Sequence, residues 1–274
     1  LKELNLLDKF LFDEAMDDPE NVKTMLDIIL SQNTKLKHPP QTEKEQRTST
    51  DNRQIRLDVY AIDEDDVIYE VEAQKENTRN LPKRSRLYQG IIDSKLLPPG
   101  AADFNLLNEV LVVMITPFDL FGYGLYRYTF QMKCEEIPEL KLDDGATRIF
   151  LNTRGEHPEL VPSELIELLK YMQHSTDEVS GACESKRIQE MHRRVCQIRA
   201  SEKTEVKYMQ TWEEKILIKQ EGIAEGEKKL LMSLIKKKLA KNYSVEQISE
   251  MLEIDISEVE NIIEKIQNEK AAER

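Results

Sequence analysis

The sequence predicts an α/β fold: a mixed sheet flanked by helices, followed by a long helical connector and a small helical tail. Three observations carry this expectation. Two neighbouring segments, Ile55–Ile62 and Val67–Gln74, alternate with period two. A continuous apolar run, Val110–Ile115, has the length of a buried strand. Helical spacings of three and four dominate both ends of the chain.

The elements follow in chain order. Leu4, Leu7, Phe10, Leu11 and Phe12 precede Asp17-Asp18-Pro19, so a short helix ends at the proline turn. Val22, Met25, Leu26, Ile28 and Ile29 repeat the pattern over 21–30. Residues 31–52 are polar and hold Pro39-Pro40, which predicts a loop or a poorly packed edge strand. The alternating pair then forms a β-hairpin across Asp63-Glu64-Asp65-Asp66. Residues 84–96 read as a helix. Val110–Ile115 reads as a central strand buried on both faces, the expected habit of a continuous apolar run. Gly122-Tyr123-Gly124 should start a second hairpin with 125–132 as its return strand, and Arg148–Leu151 is a further short strand. The domain so assembled spans 1–175. Residues 176–241 are a charged helical connector with an amphipathic stripe at Ile188, Met191, Val195 and Ile198. A homodimer through that stripe is compatible with its spacing. Residues 242–274 form a small helix-turn-helix-like tail, in which Ser244-x-x-Gln247 and Ser257-x-x-Glu260 have capping-box spacing.

Composition narrows the function classes. The chain has 274 residues, 39 basic against 52 acidic, and a formal charge of −13. That balance argues against indiscriminate coating of nucleic acid but leaves room for a local basic groove. No apolar run is long enough for a membrane span, and no cleaved leader is recognisable at the N-terminus. Cys134, Cys183 and Cys196 and the four histidines are scattered, so a zinc site or a Cys/His nucleophile is not expected. Reduced thiols point to the cytoplasm.

The hairpin register can be worked out. A shift of one residue swaps the faces of a strand. If Asp63 faces Val67, then Ala61 faces Tyr69, Val59 faces Val71 and Leu57 faces Ala73, which makes one wholly apolar or aromatic face. The other face pairs Ile62 with Ile68, Tyr60 with Glu70, Asp58 with Glu72 and Arg56 with Gln74. A two-residue loop would mix the faces, so the three-residue loop 64–66 is preferred. Asp58 and Glu72 so placed repel each other across the strands. Two arrangements relieve this. One is a solvated strand surface compensated by Arg56 and Lys75; the other is a hard divalent cation, Mg²⁺ or Mn²⁺, held by the carboxylates.

Those residues resemble a known family. Ile55-Arg56-Leu57-Asp58-Val59-Tyr60, the acidic turn and Ile68-Tyr69-Glu70-Val71-Glu72-Ala73-Gln74 are similar to the PD-(D/E)XK nuclease superfamily. The closer resemblance is to its recombination-promoting nuclease and putative transposase branch, in which Gln stands for the usual Lys. It continues through Leu81–Gln89, Leu111–Thr116, Phe118-Asp119 with Phe121–Gly124, and Tyr128–Phe130, covering roughly 5–155. The resemblance implies a restriction-endonuclease-like fold and a Mg²⁺- or Mn²⁺-dependent DNA endonuclease. Asp58 and Glu72 would hold the metal with the backbone carbonyl of Ala73, and Gln74 would position a water or a phosphate oxygen. A helix-borne acid, Asp8 or Glu14, would join the site. Leu57 replaces the eponymous proline.

The segment Lys75–Lys95 carries six basic residues against two acidic ones, which suits backbone contacts to DNA beside the site. Arg79, Lys83, Arg84, Arg86 and Tyr88 are its candidate DNA-binding residues. The tail 245–264 holds seven acidic residues and no Lys or Arg, which argues against groove reading there. The alternative function is a catalytically weak nuclease-fold protein that binds nucleic acid or protein.

Overall fold

A computed structural model describes residues 1–46, 55–97 and 100–272. Of the polar stretch 31–52, residues 47–52 lie outside the described residues. The chain divides into two compact units, Leu1–Glu205 and Val206–Arg274.

The first unit is an α/β structure on a six-stranded mixed sheet. Its strands are β1 (Gln41–Gln46), β2 (Ile55–Ile62), β3 (Ile68–Ala73), β4 (Val110–Thr116), β5 (Arg127–Phe130) and β6 (Ala146–Asn152), in spatial order β1-β2-β3-β4-β6-β5. Strands β3, β4 and β6 run parallel, and the remaining neighbours are antiparallel. The polar stretch thus supplies an edge strand. The expected second hairpin does not form: β5 pairs with β6 and closes the opposite edge. The Gly122–Gly124 turn instead folds around Asp119, whose carboxylate accepts from the backbone N–H of Phe121 and Gly124 and from the Tyr128 hydroxyl.

Helices cover both faces. Helices α1 (Lys9–Met16), α2 (Pro19–Leu30), α4 (Ser163–Gln173) and α6 (Lys186–Arg199) pack on Val59, Ala61, Tyr69, Val71, Val113, Ile115, Ile149 and Leu151. Helix α3 (Leu81–Asp93) packs on the other face, where Leu81, Tyr88, Ile91 and Ile92 meet Tyr60, Ile68, Val112, Met114 and Phe150. Alternate residues of β4 therefore serve two cores, which accounts for its unbroken apolar run. Helix α4 carries no strong motif of its own in the sequence. Ile188, Met191 and Val195 of α6 are fully buried in the first core, so this stripe is not an exposed dimer surface. Helix α5 (Asp177–Ala182) lies between α4 and α6 in the chain.

The hairpin register follows the faces. Val59 pairs with Val71, Tyr60 with Glu70, Ala61 with Tyr69 and Ile62 with Ile68. Asp63 builds the turn: its Oδ1 accepts from the N–H of Asp65 and Val67 at 3.0 and 2.9 Å, and its Oδ2 from the Tyr69 hydroxyl at 2.7 Å. The ladder stops at Val59–Val71, so Asp58 and Glu72 lie one residue beyond it. Leu57 departs from its expected face. It is buried with the α3-side residues and not with Val59, because alternation need not persist where the pairing to β3 has ended.

In the second unit, the long helix α7 (Glu202–Leu239, which begins in the first unit), α8 (Val245–Leu252) and α9 (Ile256–Ala272) surround Ile235, Ile248, Val259, Ile262 and Ile266. Ser244 and Gln247 form the expected capping box of α8. Helix α9 begins at Ile256, one residue before Ser257, so the second capping-box spacing does not open it.

Two glycines test this packing in opposite directions. A Cβ on Gly155 would stand 2.3 Å from the Tyr126 ring, whereas one on Gly90, inside α3, meets nothing within 4 Å. Gly155→Ala is expected to lose about 1–3 kcal/mol of stability by overpacking. Gly90→Ala should gain about 0.5–1 kcal/mol. Urea unfolding of both variants measures the contrast.

Candidate active site

The carboxyl end of β3 and the first half of β2 open into a cleft of about 770 Å³. Ligands of open α/β sheets gather outside the carboxyl ends of strands. Asp58, Glu72, Ala73, Gln74, Lys9, Arg56, Lys83, Arg84 and Tyr88 are among its lining residues. The hairpin delivers Asp58, Glu72 and Gln74 to one place, as the register predicted, although the ladder pairing itself ends before them.

The cleft's carboxylates are buried. Asp58 is 4% exposed and Glu72 2%. Each meets a cation from a different helix. Lys9 of α1 makes an ion pair with Asp58 and a second with Asp13 of its own helix. Burial works against the Lys9 charge, but Asp58 and Asp13 outweigh it, and its pKa is raised. On the other side, Arg84 of α3 makes an ion pair with Glu72. The same guanidinium donates to Gln74 Oε1 at 2.9 Å and to the Tyr88 hydroxyl at 2.8 Å. Gln74 is held at its other end, where Nε2 donates to the carbonyl of Glu76 at 2.8 Å.

These contacts add helix-borne charges to the arrangement expected from the strands. Lys9 pairs with Asp58 and Arg84 with Glu72, two cations that the strand pattern did not bring in. Arg56 lines the cleft, and Lys75 reaches Asp8 at 2.6 Å. Of the two candidate helix acids, Asp8 precedes α1 and is engaged by Lys75. Glu14 does not line the cleft, and Asp13 is the α1 acid that touches Lys9. Among the basic candidates, Lys83 and Arg84 line the cleft; Arg79 and Arg86 are exposed outside it. Arg84 and Tyr88 form a hydrogen-bonded pair four residues apart, as their shared helix face predicts.

Glu70 is the residue that sequence reasoning missed. It shares a strand face with Glu72 on β3, is fully buried under α3, and among the described residues neither of its carboxylate oxygens has a hydrogen-bond partner. Burial first, then the nearby Asp58, raises its pKa well above the usual range, and Arg84 opposes this. The shift favours the neutral carboxyl. Glu72 Oε2 is likewise buried without a partner among the described residues. That orphaned acceptor and the pair of buried carboxylates fit a hard divalent cation, whose ligands are oxygens of this kind.

No protein-family model, curated protein or solved structure matches the chain. Among the described residues, no helix is long and apolar enough to cross a membrane.

The Glu70 shift sets a pH dependence. A group whose folded pKa is raised contributes most below its unfolded value, about 4.5, and loses that contribution as pH rises toward the folded value. Glu70→Gln removes this loss. Its stability relative to the wild type should climb from about pH 4.5 upward, by at most about 1.4 kcal/mol per pH unit. Parallel urea titrations at pH 4.5, 6 and 8 read the difference; a constant gap would show Glu70 to be ionised in the fold.

Proposed function

We propose that the protein is a metal-dependent DNA endonuclease with a restriction-endonuclease-like core, acting at the cleft between α1 and α3. One observation carries this reading: two buried carboxylates, Asp58 and Glu72, converge with Gln74 on an open cleft whose rim is basic. Asp58 and Glu72, with the carbonyl of Ala73, would hold Mg²⁺ or Mn²⁺. Such a cation, when bound, polarises a phosphodiester and lowers the pKa of a coordinated water. Gln74, fixed at both ends, orients a water or a phosphate oxygen but carries no charge. Lys9 brings an ammonium to the same cleft, on a helix and not on the strand, and its raised pKa keeps it charged at neutral pH. It can offset charge that develops on a phosphate. Lys83, exposed on the cleft wall, and Arg86, exposed on the same helix, suit contacts to the DNA backbone.

A second reading rests on a specific contact. Both carboxylates already have cationic partners, Lys9 and Arg84, so the arrangement is also neutralised from within. A catalytically weak protein that binds nucleic acid through the same rim would keep that pairing.

Plasmid nicking separates the two. The wild type should nick DNA with Mg²⁺ and not with EDTA, and Asp58→Ala should lose about 100-fold or more of the rate while keeping its affinity for DNA. Binding without any metal-dependent nicking would favour the second reading, and unchanged nicking in Asp58→Ala would end the first.

A double variant, Lys83→Ala with Arg86→Ala, should weaken binding alike on all sequences. Each lost phosphate contact flattens the slope of log K against log salt by about 0.9 for duplex DNA. An unaltered slope in salt-titrated binding would remove these two residues from the interface.

A further inference from the structure

Away from the cleft, helices α5 and α6 bring together three side chains able to ligate a metal. Asp177 is the first residue of α5, whose N-cap Thr176 accepts from the N–H of Val179. His192 and Cys196 are four residues apart on α6 and so share a face. Their ligand atoms all lie within 4.8 Å of one another. His192 Nε2 is 2.8 Å from Asp177 Oδ1, and Cys196 Sγ is 3.4 Å from that nitrogen and 3.9 Å from that oxygen.

These separations can be compared with a tetrahedral site. Zinc bonds of about 2.0–2.1 Å to nitrogen or oxygen and about 2.3 Å to sulfur place the N and O ligands about 3.3 Å apart, and sulfur about 3.5 Å from each. Both sulfur edges agree within a few tenths of an ångström. The N–O edge has hydrogen-bond length and must open by about half an ångström, judged against the same zinc geometry. Asp177 can provide that movement, because its side chain is 96% exposed and no packing holds it.

The other ring nitrogen is also prepared. The Tyr171 hydroxyl lies 3.0 Å from His192 Nδ1, and the two rings meet edge to face. Tyr171 is fully buried, and in the tautomer in which His192 Nδ1–H donates to its hydroxyl, Nε2 is left free for a metal. Metal-ligating histidines nearly always pass their second nitrogen to such a partner. The charges agree as well: a thiolate and a carboxylate neutralise a divalent ion. Arg199, which borders the same surface depression, is committed to the carbonyls of Ser175 and Leu4.

We propose that Asp177, His192 and Cys196 bind a thiophilic divalent transition-metal ion of the zinc class, oriented by Tyr171 and pinning α5 to α6. The ligand set mixes sulfur, imidazole and one carboxylate, which distinguishes it from the all-oxygen site of the cleft.

The full-length protein, stripped with EDTA and kept reduced, is titrated with Co²⁺ alone and then with Zn²⁺. The expected result is a thiolate-to-cobalt charge-transfer band that Zn²⁺ displaces. The band should persist in Cys134→Ser and vanish in Cys196→Ser. Tyr171→Phe should bind Co²⁺ about 10–100-fold more weakly. Asp177→Asn, a surface change that leaves folding intact, should also weaken binding. Absence of the band, its persistence in Cys196→Ser, or wild-type affinity in both Tyr171→Phe and Asp177→Asn would overturn the proposal.

Discussion

The guanidinium of Arg84 is the contact on which the arrangement of the cleft depends. It engages Glu72, Gln74 and Tyr88 at once. Glu72 sits in the middle of a sheet whose faces are both covered, and an ionised carboxylate there costs several kcal/mol unless it is paired. Helix α3 follows β3 directly in the chain, and the Arg84 contacts fix which of its turns stands over the strand end. The apolar residues Leu81, Tyr88, Ile91 and Ile92 then dock that helix on the sheet. Lys9 does the corresponding service for Asp58 from the opposite layer. Each helical layer thus sends one cation to the same end of the sheet, where the two carboxylates line one cleft.

Three acidic side chains of the hairpin occupy three different environments. Asp58 faces Lys9, Glu72 faces Arg84, and Glu70 faces neither water nor a hydrogen-bond donor. Environment therefore separates chemically similar groups: two meet cations, and burial favours the neutral form of the third. The division matches position along β3. Glu72 reaches the open end, whereas Glu70 lies one pleat further in, beneath α3. The raised pKa of Glu70 works against a further negative charge behind the cleft.

The helical parts of the molecule differ in how they use apolar residues. Helix α6 buries Ile188, Met191 and Val195 completely and belongs to the core of the first unit. Helix α7 leaves Trp212, Leu217, Ile218 and Ile223 exposed. Helices α8 and α9 bury their isoleucines together with Ile235, so the acidic residues of the tail decorate the outside of a small helical core. Polar residues interrupt in α7 the apolar spacing that α6 keeps.

The sequence by itself determined the hairpin, its three-residue turn, the pairing from Val59–Val71 to Ile62–Ile68, the buried β4 and the delivery of Asp58, Glu72 and Gln74 to one strand end. Those features rest on period-two alternation and on a turn closed by neighbouring residues, which are local properties. Tertiary structure decided the rest. Lys9 is 49 residues from Asp58 and meets it only because α1 docks beside β2. The burial that raises the Glu70 pKa needs α3 overhead, and the turn of Leu57 toward that helix needs the ladder to end at Val59. Strand β5 chose β6 over β4, and Asp177 joined His192 and Cys196 across two helices. Each of these is set by which surfaces pack together, and the free energy of that packing is summed over residues far apart in the chain, where no local period records it.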